Sequence, residues 1–161
     1  MKNVFLGLGS NLGRRKEILQ EAKSRIAEVI GTVGSVSLIY ETEPWGFKSE
    51  NNFLNMVLAV KTGLSPSGLL GRILMIESQL GRTRCDTGYT SRNIDIDILL
   101  YDKEIVNEKA LIIPHPKMHE RRFVLVPLAE IAPEMIHPVL NKSIASLLKS
   151  CKDKCKVQQY K

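Results

Sequence analysis

Asp95 and Asp97 stand two residues apart in an otherwise apolar run, Ile94 to Leu100. Side chains of a strand alternate between faces, so Ile94, Ile96 and Ile98 point one way and both carboxylates the other. One face then anchors a core while the other presents two parallel carboxylates. These repel each other unless a cation sits between them. A hard divalent ion such as Mg2+ suits them, because it takes oxygen ligands and is commonly shared with substrate phosphates. An Asp pair on an open strand face is in general solvated surface. Arg82, Arg84 and Arg92 just upstream favour the other reading, since guanidinium groups suit a polyanion. Carboxylates for a metal beside an arginine-rich segment point to phosphate-transfer chemistry.

The elements that position these residues are set by the rest of the chain. Its 161 residues suffice for one domain, residues 1–161, with a core that needs no staples. A hydrophobic content of 43% and a charged content of 25% are ordinary for a globular protein. The net charge of +6 favours an anionic partner such as a nucleotide, a nucleic acid or a membrane surface. Part of the excess lies in the tail, at Lys149, Lys152, Lys154, Lys156 and Lys161, which reads as a solvated basic segment. The cysteines Cys85, Cys151 and Cys155 are odd in number and form no disulfide framework. No apolar stretch is long enough to span a bilayer. The N-terminus enters a strand-like segment with no signal-peptide pattern, so the cytoplasm is expected.

Asn3 to Gly9 reads as a strand, and Ser10 or Asn11 can cap a following helix that runs to about Ile30. Gly31 and Gly34 frame a turn, and Val36, Leu38 and Tyr40 alternate through a second strand. Glu41 to Asn52 is a polar loop, and Phe53 to Val60 a third strand. Ser65 followed by Pro66 marks a helix start, Leu69, Leu70, Ile73, Ile76 and Leu80 its buried stripe, and Gly81 its end. A long polar loop, Gly81 to Asn93, leads into the fourth strand, Ile94 to Tyr101. Asp102 and Lys103 turn toward a short strand at Ile105 and Val106. Beyond Pro114 the prolines leave room only for short helices, the last from Ser143 to Lys149. The order βαββαβ predicts an α+β, ferredoxin-like core, extended at the C-terminus by short helices and a small hairpin. Helices should cover one sheet face and leave the other, with Asp95 and Asp97, free for function.

Gly7, Gly9 and Gly13 invite a dinucleotide-binding reading, but their spacing is one residue longer than the G-x-G-x-x-G fingerprint and the expected downstream acid is missing. A tight strand-to-helix turn explains them better. No G-x-x-x-x-G-K-[ST] loop exists, which excludes a standard P-loop enzyme. RNA-recognition modules share the predicted topology, and Val4 to Leu8 could pass for their first-strand motif. Yet FLNMVLAV in the third strand lacks the glycine-aromatic pattern that stacks bases, and two strand aspartates would repel RNA phosphates.

The motifs GLGSNLG (7–13), YETEPWG (40–46), FLN (53–55), GRTR (81–84), SRNIDIDILLYD (91–102) and PHPKMHERRFVLVPLAEIAP (114–133) occur in one order over nearly the whole chain. In this the sequence resembles the 6-hydroxymethyl-7,8-dihydropterin pyrophosphokinase family of folate biosynthesis. The resemblance implies transfer of the β,γ-diphosphoryl unit of ATP to the pterin hydroxymethyl oxygen, with release of AMP. It implies that Asp95 and Asp97 hold two Mg2+ ions on the triphosphate. Arg82 and Arg92 would contact phosphates from a mobile loop, with Arg84 beside them, and His115 and Arg121 would bind the triphosphate. Phe53 and Phe123 would sandwich the pterin, Asn55 and Thr42 would read its edge, and Trp45 would cover it. Small-molecule substrates are the implied partners, with no nucleic acid, membrane or obligate protein partner; a different ATP-dependent kinase on the same scaffold is the alternative. Departures from the commoner pattern fall at Tyr89, in the arginine loop, and at Leu74 and Ala110, near the nucleotide.

Overall fold

The computed structural model describes the backbone of residues 1–42, 52–84 and 90–161 and, within these, all side chains except those of residues 82–84 and 90–92. In chain order the elements are β1 (Lys2–Ser10), α1 (Arg15–Val29), β2 (Gly31–Val36), β3 (Tyr40–Thr42), β4 (Phe53–Thr62), α2 (Pro66–Gly81), β5 (Arg82–Arg84), β6 (Thr90–Arg92), β7 (Asp95–Tyr101), β8 (Val106–Asn107), β9 (Ile112–Ile113), α3 (Arg122–Ile131), α4 (Ile144–Lys149) and β10 (Val157–Gln159). A 3-10 turn, Met118–Glu120, precedes α3. The main sheet runs β10-β3-β4-β1-β7, with β2 also paired to β4. The predicted α+β, ferredoxin-like class is thus the observed one.

The alternation read from the sequence builds one face. Leu6 and Leu8 of β1, Met56 and Leu58 of β4, and Ile96 and Ile98 of β7 pack against Leu19 and Ile26 of α1 and Ile73 and Ile76 of α2. The start of α2 is as predicted: the Gly68 amide donates to Ser65 Oγ (3.1 Å) and Pro66 is the first helical residue. Gly81 closes the helix with a φ of +136°, a conformation that L side chains rarely adopt.

The second face is not left open. Phe5, Val57, Leu99 and Leu100 lie under Val124, Leu125 and Leu128 of α3 and Ile144 and Leu147 of α4. These apolar side chains on the far half of that face need burial, and the short C-terminal helices supply it. Among the described residues, the near half, with Asp95 and Asp97, is left uncovered by these helices. A ladder irregularity between Phe5 and Leu6 contributes, because it lets the successive residues Leu99 and Leu100 both join this second core.

Several boundaries differ from the expected ones. β1 continues through Ser10 because Ser10 pairs with Leu54, so neither Ser10 nor Asn11 caps α1. Gly13 makes the turn with a φ of +64°, and Arg14 precedes the helix with no side-chain cap. Gly31 and Gly34 lie within β2 rather than a turn; at Gly31 the Lys61 carbonyl comes so close that no Cβ would fit. The second strand is broken at Ser37. There the Val57 amide donates to Ser37 Oγ (2.9 Å) and the Leu38 amide turns away to the Glu130 carboxylate (3.1 Å). The expected loop at 41–52 begins later, since Glu41 and Thr42 belong to β3. The loop at 81–93 contains the β5–β6 ladder. The small hairpin is β8 with β9, after Asp102 in a left-handed conformation (φ 48°). α3 tolerates Pro127 inside its ten residues, where the missing N–H returns no bond to residue 123.

The tail is not merely solvated. β10 pairs antiparallel with β3, the Tyr160 amide donates to the Ile39 carbonyl (2.8 Å), and the Arg15 guanidinium sits 5.8 Å over the Tyr160 ring. The lysines at 152, 154 and 156 point to solvent on the alternate positions. Residues 43–51 and 85–89, and with them Trp45, Cys85 and Tyr89, lie outside the described residues. Among the described residues no helix is long and apolar enough to cross a membrane.

Candidate active site

Three central strands build the floor of the site through their register. Gly9 of β1 pairs with Asn55 of β4 on one side and Asp95 of β7 on the other. One step along, Gly7 lies between Val57 and Asp97. Directly paired residues share a face, so each row presents a β4 side chain, a bare glycine and a carboxylate. The glycines therefore serve a floor rather than the tight turn expected of them; of the three, only Gly13 has a positive φ. A Cβ on Gly9 would stand 2.9 Å from Asn55 Oδ1, and one on Gly7 would stand 3.4 Å from Leu99 Cδ1. Any larger residue at position 9 would displace the Asn55 amide.

Over this floor lies a cavity of about 240 Å³. Its walls bring together Thr42, Phe53, Asn55, Asp95, Asp97, Arg121 and Phe123, seven of the residues singled out from the sequence. Asn55 (6% exposed) donates from Nδ2 to Oγ1 of Thr42 (2% exposed) at 2.8 Å. Its amide plane is thereby locked, because both groups are buried and each needs a partner. Arg121 precedes α3, and its Cζ stands 5.7 Å from the Phe123 ring centroid, a cation–π distance.

A second cavity of about 280 Å³ adjoins at Asp97, lined by Leu70, Ile98, Ala110, Ile112 and His115. The His115 backbone amide donates to the Leu99 carbonyl (3.0 Å), and its Nδ1 accepts from the Lys117 amide (3.2 Å). Burial pushes its pKa below the ordinary histidine value; Asp97 opposes this, and Arg121 and Lys117 add to it. The ring is neutral at neutral pH and offers Nε2–H as a donor.

Two supports went unnoticed in the sequence. Glu77 (5% exposed) accepts the Ile96 amide at Oε2 (3.0 Å), which pins the free edge of β7 between the two aspartates. The signal was present: Glu77 stands four residues after Ile73, on the buried stripe of α2. Glu130 of α3 accepts the Tyr40 hydroxyl at 2.7 Å, and burial together with that bond pushes the phenol up to about 12. This ties α3 to the strand that carries Thr42.

Arg82 and Arg92 are directly opposed in the β5–β6 register, and Arg84 faces Thr90. Their side chains, like Trp45, fall outside the described residues. Among the described residues no third His, Cys, Asp or Glu joins Asp95 and Asp97 in a metal-holding cluster.

Residues 5–133 match the family of 7,8-dihydro-6-hydroxymethylpterin-pyrophosphokinase (HPPK). A 2-amino-4-hydroxy-6-hydroxymethyldihydropteridine pyrophosphokinase of Aquifex aeolicus is 42% identical over 89% of this chain and 89% of its own. One of the same name from Bacillus subtilis is 44% identical over 84% of this chain and 81% of its own. Among solved structures, wild-type HPPK-DHPS of Plasmodium falciparum superimposes with a TM-score of 0.74 at 19% identity. That similarity, which concerns the fold, takes in 92% of this chain and 44% of the longer one. With its motifs in order, its ferredoxin-like core and relatives of this identity over most of its length, the chain belongs to the 7,8-dihydro-6-hydroxymethylpterin-pyrophosphokinase family.

Proposed function

We propose that the glycine-floored cavity holds the pterin and the adjoining one the nucleotide, with Asp97 at their junction. The activity itself is that of the family: pyrophosphoryl transfer from ATP to hydroxymethyldihydropterin in folate biosynthesis. The observation that carries the assignment of residues is the register. Asn55 and Asp95 are separated by one glycine strand, about 10 Å for two strand spacings, with no side chain between them. A flat bicyclic ring can lie there with its edge toward Asn55 and its hydroxymethyl arm toward the carboxylates.

Phe53 and Phe123 supply the apolar walls of the slot, and the locked Asn55–Thr42 pair reads the amide-like edge of the ring. Asp95 and Asp97 fit two Mg2+ ions as hard oxygen donors on one face, and substrate and water oxygens would complete the coordination. Bound there, Mg2+ would offset the triphosphate charge and polarise the β-phosphorus. The hydroxymethyl oxygen forms a bond to that phosphorus, the bond to the oxygen bridging the α- and β-phosphates breaks, and AMP leaves with that oxygen. The hydroxyl proton is lost as the new bond forms. Arg82, Arg84, Arg92 and Arg121 meet the anion with positive charge, and neutral His115 donates a hydrogen bond without adding to it. Catalysis is alignment of two bound molecules, and no covalent enzyme intermediate is needed. In this reading residues 1–161 act as one pyrophosphokinase domain on small-molecule substrates, Trp45 covers the pterin, and the setting is cytoplasmic.

Two measurements test this reading. AMP, not ADP, is the expected nucleotide product when Mg2+, ATP and 6-hydroxymethyl-7,8-dihydropterin are supplied; ADP would mark a simple kinase. Phe53→Ala and Phe123→Ala are expected to weaken pterin binding by about 1–3 kcal/mol, the value of an aromatic stacking partner, and ATP binding by less. Calorimetry with each ligand decides the matter, and equal weakening toward both would make the rings ordinary core.

A further inference from the structure

The start of α3 is unfavourable as a sequence. Arg121 and Arg122 occupy its cap and first position, where an acceptor side chain and negative charge are preferred. Arg121 makes no side-chain cap bond. The missing acceptor comes instead from the tail. The Arg122 amide donates to Asp153 Oδ2 at 3.0 Å, and Asp153 Oδ1 accepts the Cys155 amide at 2.9 Å. The carboxylate is thus fixed in its own turn and half-buried at the helix end. Four residues on, Val157 pairs with Thr42 in the β10–β3 ladder. Residues 153–157 therefore connect two elements that line one cavity: the start of α3, with Arg121 and Phe123, and β3, which carries Thr42. None of this tail lies within the segment matched to the family, which ends at residue 133.

We infer that Asp153 is a positioning residue of the active site, a helix cap delivered by the tail that sets Arg121 and Phe123 against the substrates. The inference rests on the assignment of that cavity to the pterin. Its physical basis is that a helix whose first amide is deprived of its acceptor frays from that end, and the fraying turn is the one bearing Phe123. The Arg121–Phe123 contact then loosens with it.

The test is pterin binding to the full chain, read by calorimetry with a nonhydrolysable ATP analogue present. Asp153→Ala should raise the pterin dissociation constant about five-fold, the size of a cap removed. Asp153→Asn, which keeps one acceptor for the Arg122 amide, should recover most of that loss. A purely structural role would instead lower the melting temperature and leave the affinity of the folded protein unchanged; that result overturns the inference. Arg122→Pro supplies a second line, and one that holds even if Asp153→Ala alone does not fold. Proline is favoured at the first helical position, has no N–H to cap, and suits the extended conformation of Arg121 (φ −116°, ψ 107°). In that background Asp153→Ala should change pterin affinity by less than about two-fold, since the donor it served is gone. An undiminished effect there would show that Asp153 acts by another route and would overturn the inference. Phe123→Ala in the same assay separates the two readings. If it leaves pterin binding intact, the pterin assignment fails and this inference with it. If it weakens binding while Asp153→Ala does not, only the role of the tail is lost.

Discussion

Replacing Asp97 by asparagine, or Asp95 in the same way, is expected to lower turnover by about 10²–10³-fold while leaving the fold intact. Removing one charge-stabilising group from a water-excluded site costs about 3–4 kcal/mol of transition-state stabilisation. An amide oxygen keeps the shape of the side chain but binds a hard cation more weakly than a carboxylate does. The structure also predicts the sign of the effect on stability. The two carboxylates share one face of β7, about 7 Å apart along the strand, so their mutual repulsion is worth roughly 0.5–2 kcal/mol between surface and bulk-water screening. Neutralising Asp97 relieves it, so the melting temperature of that variant should hold or rise slightly. Steady-state turnover and thermal unfolding measured on the same preparations separate chemistry from folding. Near-normal turnover of both variants at limiting Mg2+ would remove the metal assignment.

Arg92→Ala is expected to lower turnover by about 10²-fold while changing the affinity for ATP alone by less than about ten-fold. The backbone sets residues 82 and 92 opposite each other in the β5–β6 ladder. Charge develops on the departing AMP as the transfer proceeds, and a guanidinium serves that moment more than the ground state. The two constants must therefore separate in this variant: turnover by rapid product analysis, nucleotide affinity by calorimetry without pterin. A parallel loss in both would make Arg92 part of a general electrostatic surface for ATP.

Much of this molecule was legible in the order of its residues, wherever the determining chemistry is local. The period of two in Ile94 to Ile98 was enough to put Asp95 and Asp97 on one face, because alternation is a property of any strand. Ser65 and Pro66 announced the start of α2, and Gly81 its end, because caps act over three or four residues. The motifs in their order led to the family, and with it to the set of seven residues that the fold gathers around one cavity.

What the sequence left open depends on partners far along the chain. That Gly7 and Gly9 form a floor is visible only once β1 has β4 on one side and β7 on the other, since a missing Cβ matters only beside its neighbours. The role of Glu77 on the buried side of α2 is visible only once the fold brings the edge amide of Ile96 to it. The covering of the second sheet face by α3 and α4 follows from apolar surface on Phe5 and Val57 that local pattern assigns to neither solvent nor core. The tail looked like solvated lysines, because alternation with charge on one side reads the same in a free segment and in an edge strand. Only the unpaired edge of β3 made it β10, and only the uncapped amide of Arg122, thirty-one residues away, gave Asp153 its place. Hydrogen-bond satisfaction is settled among whichever groups the folded chain brings together, and linear order does not record which groups those are.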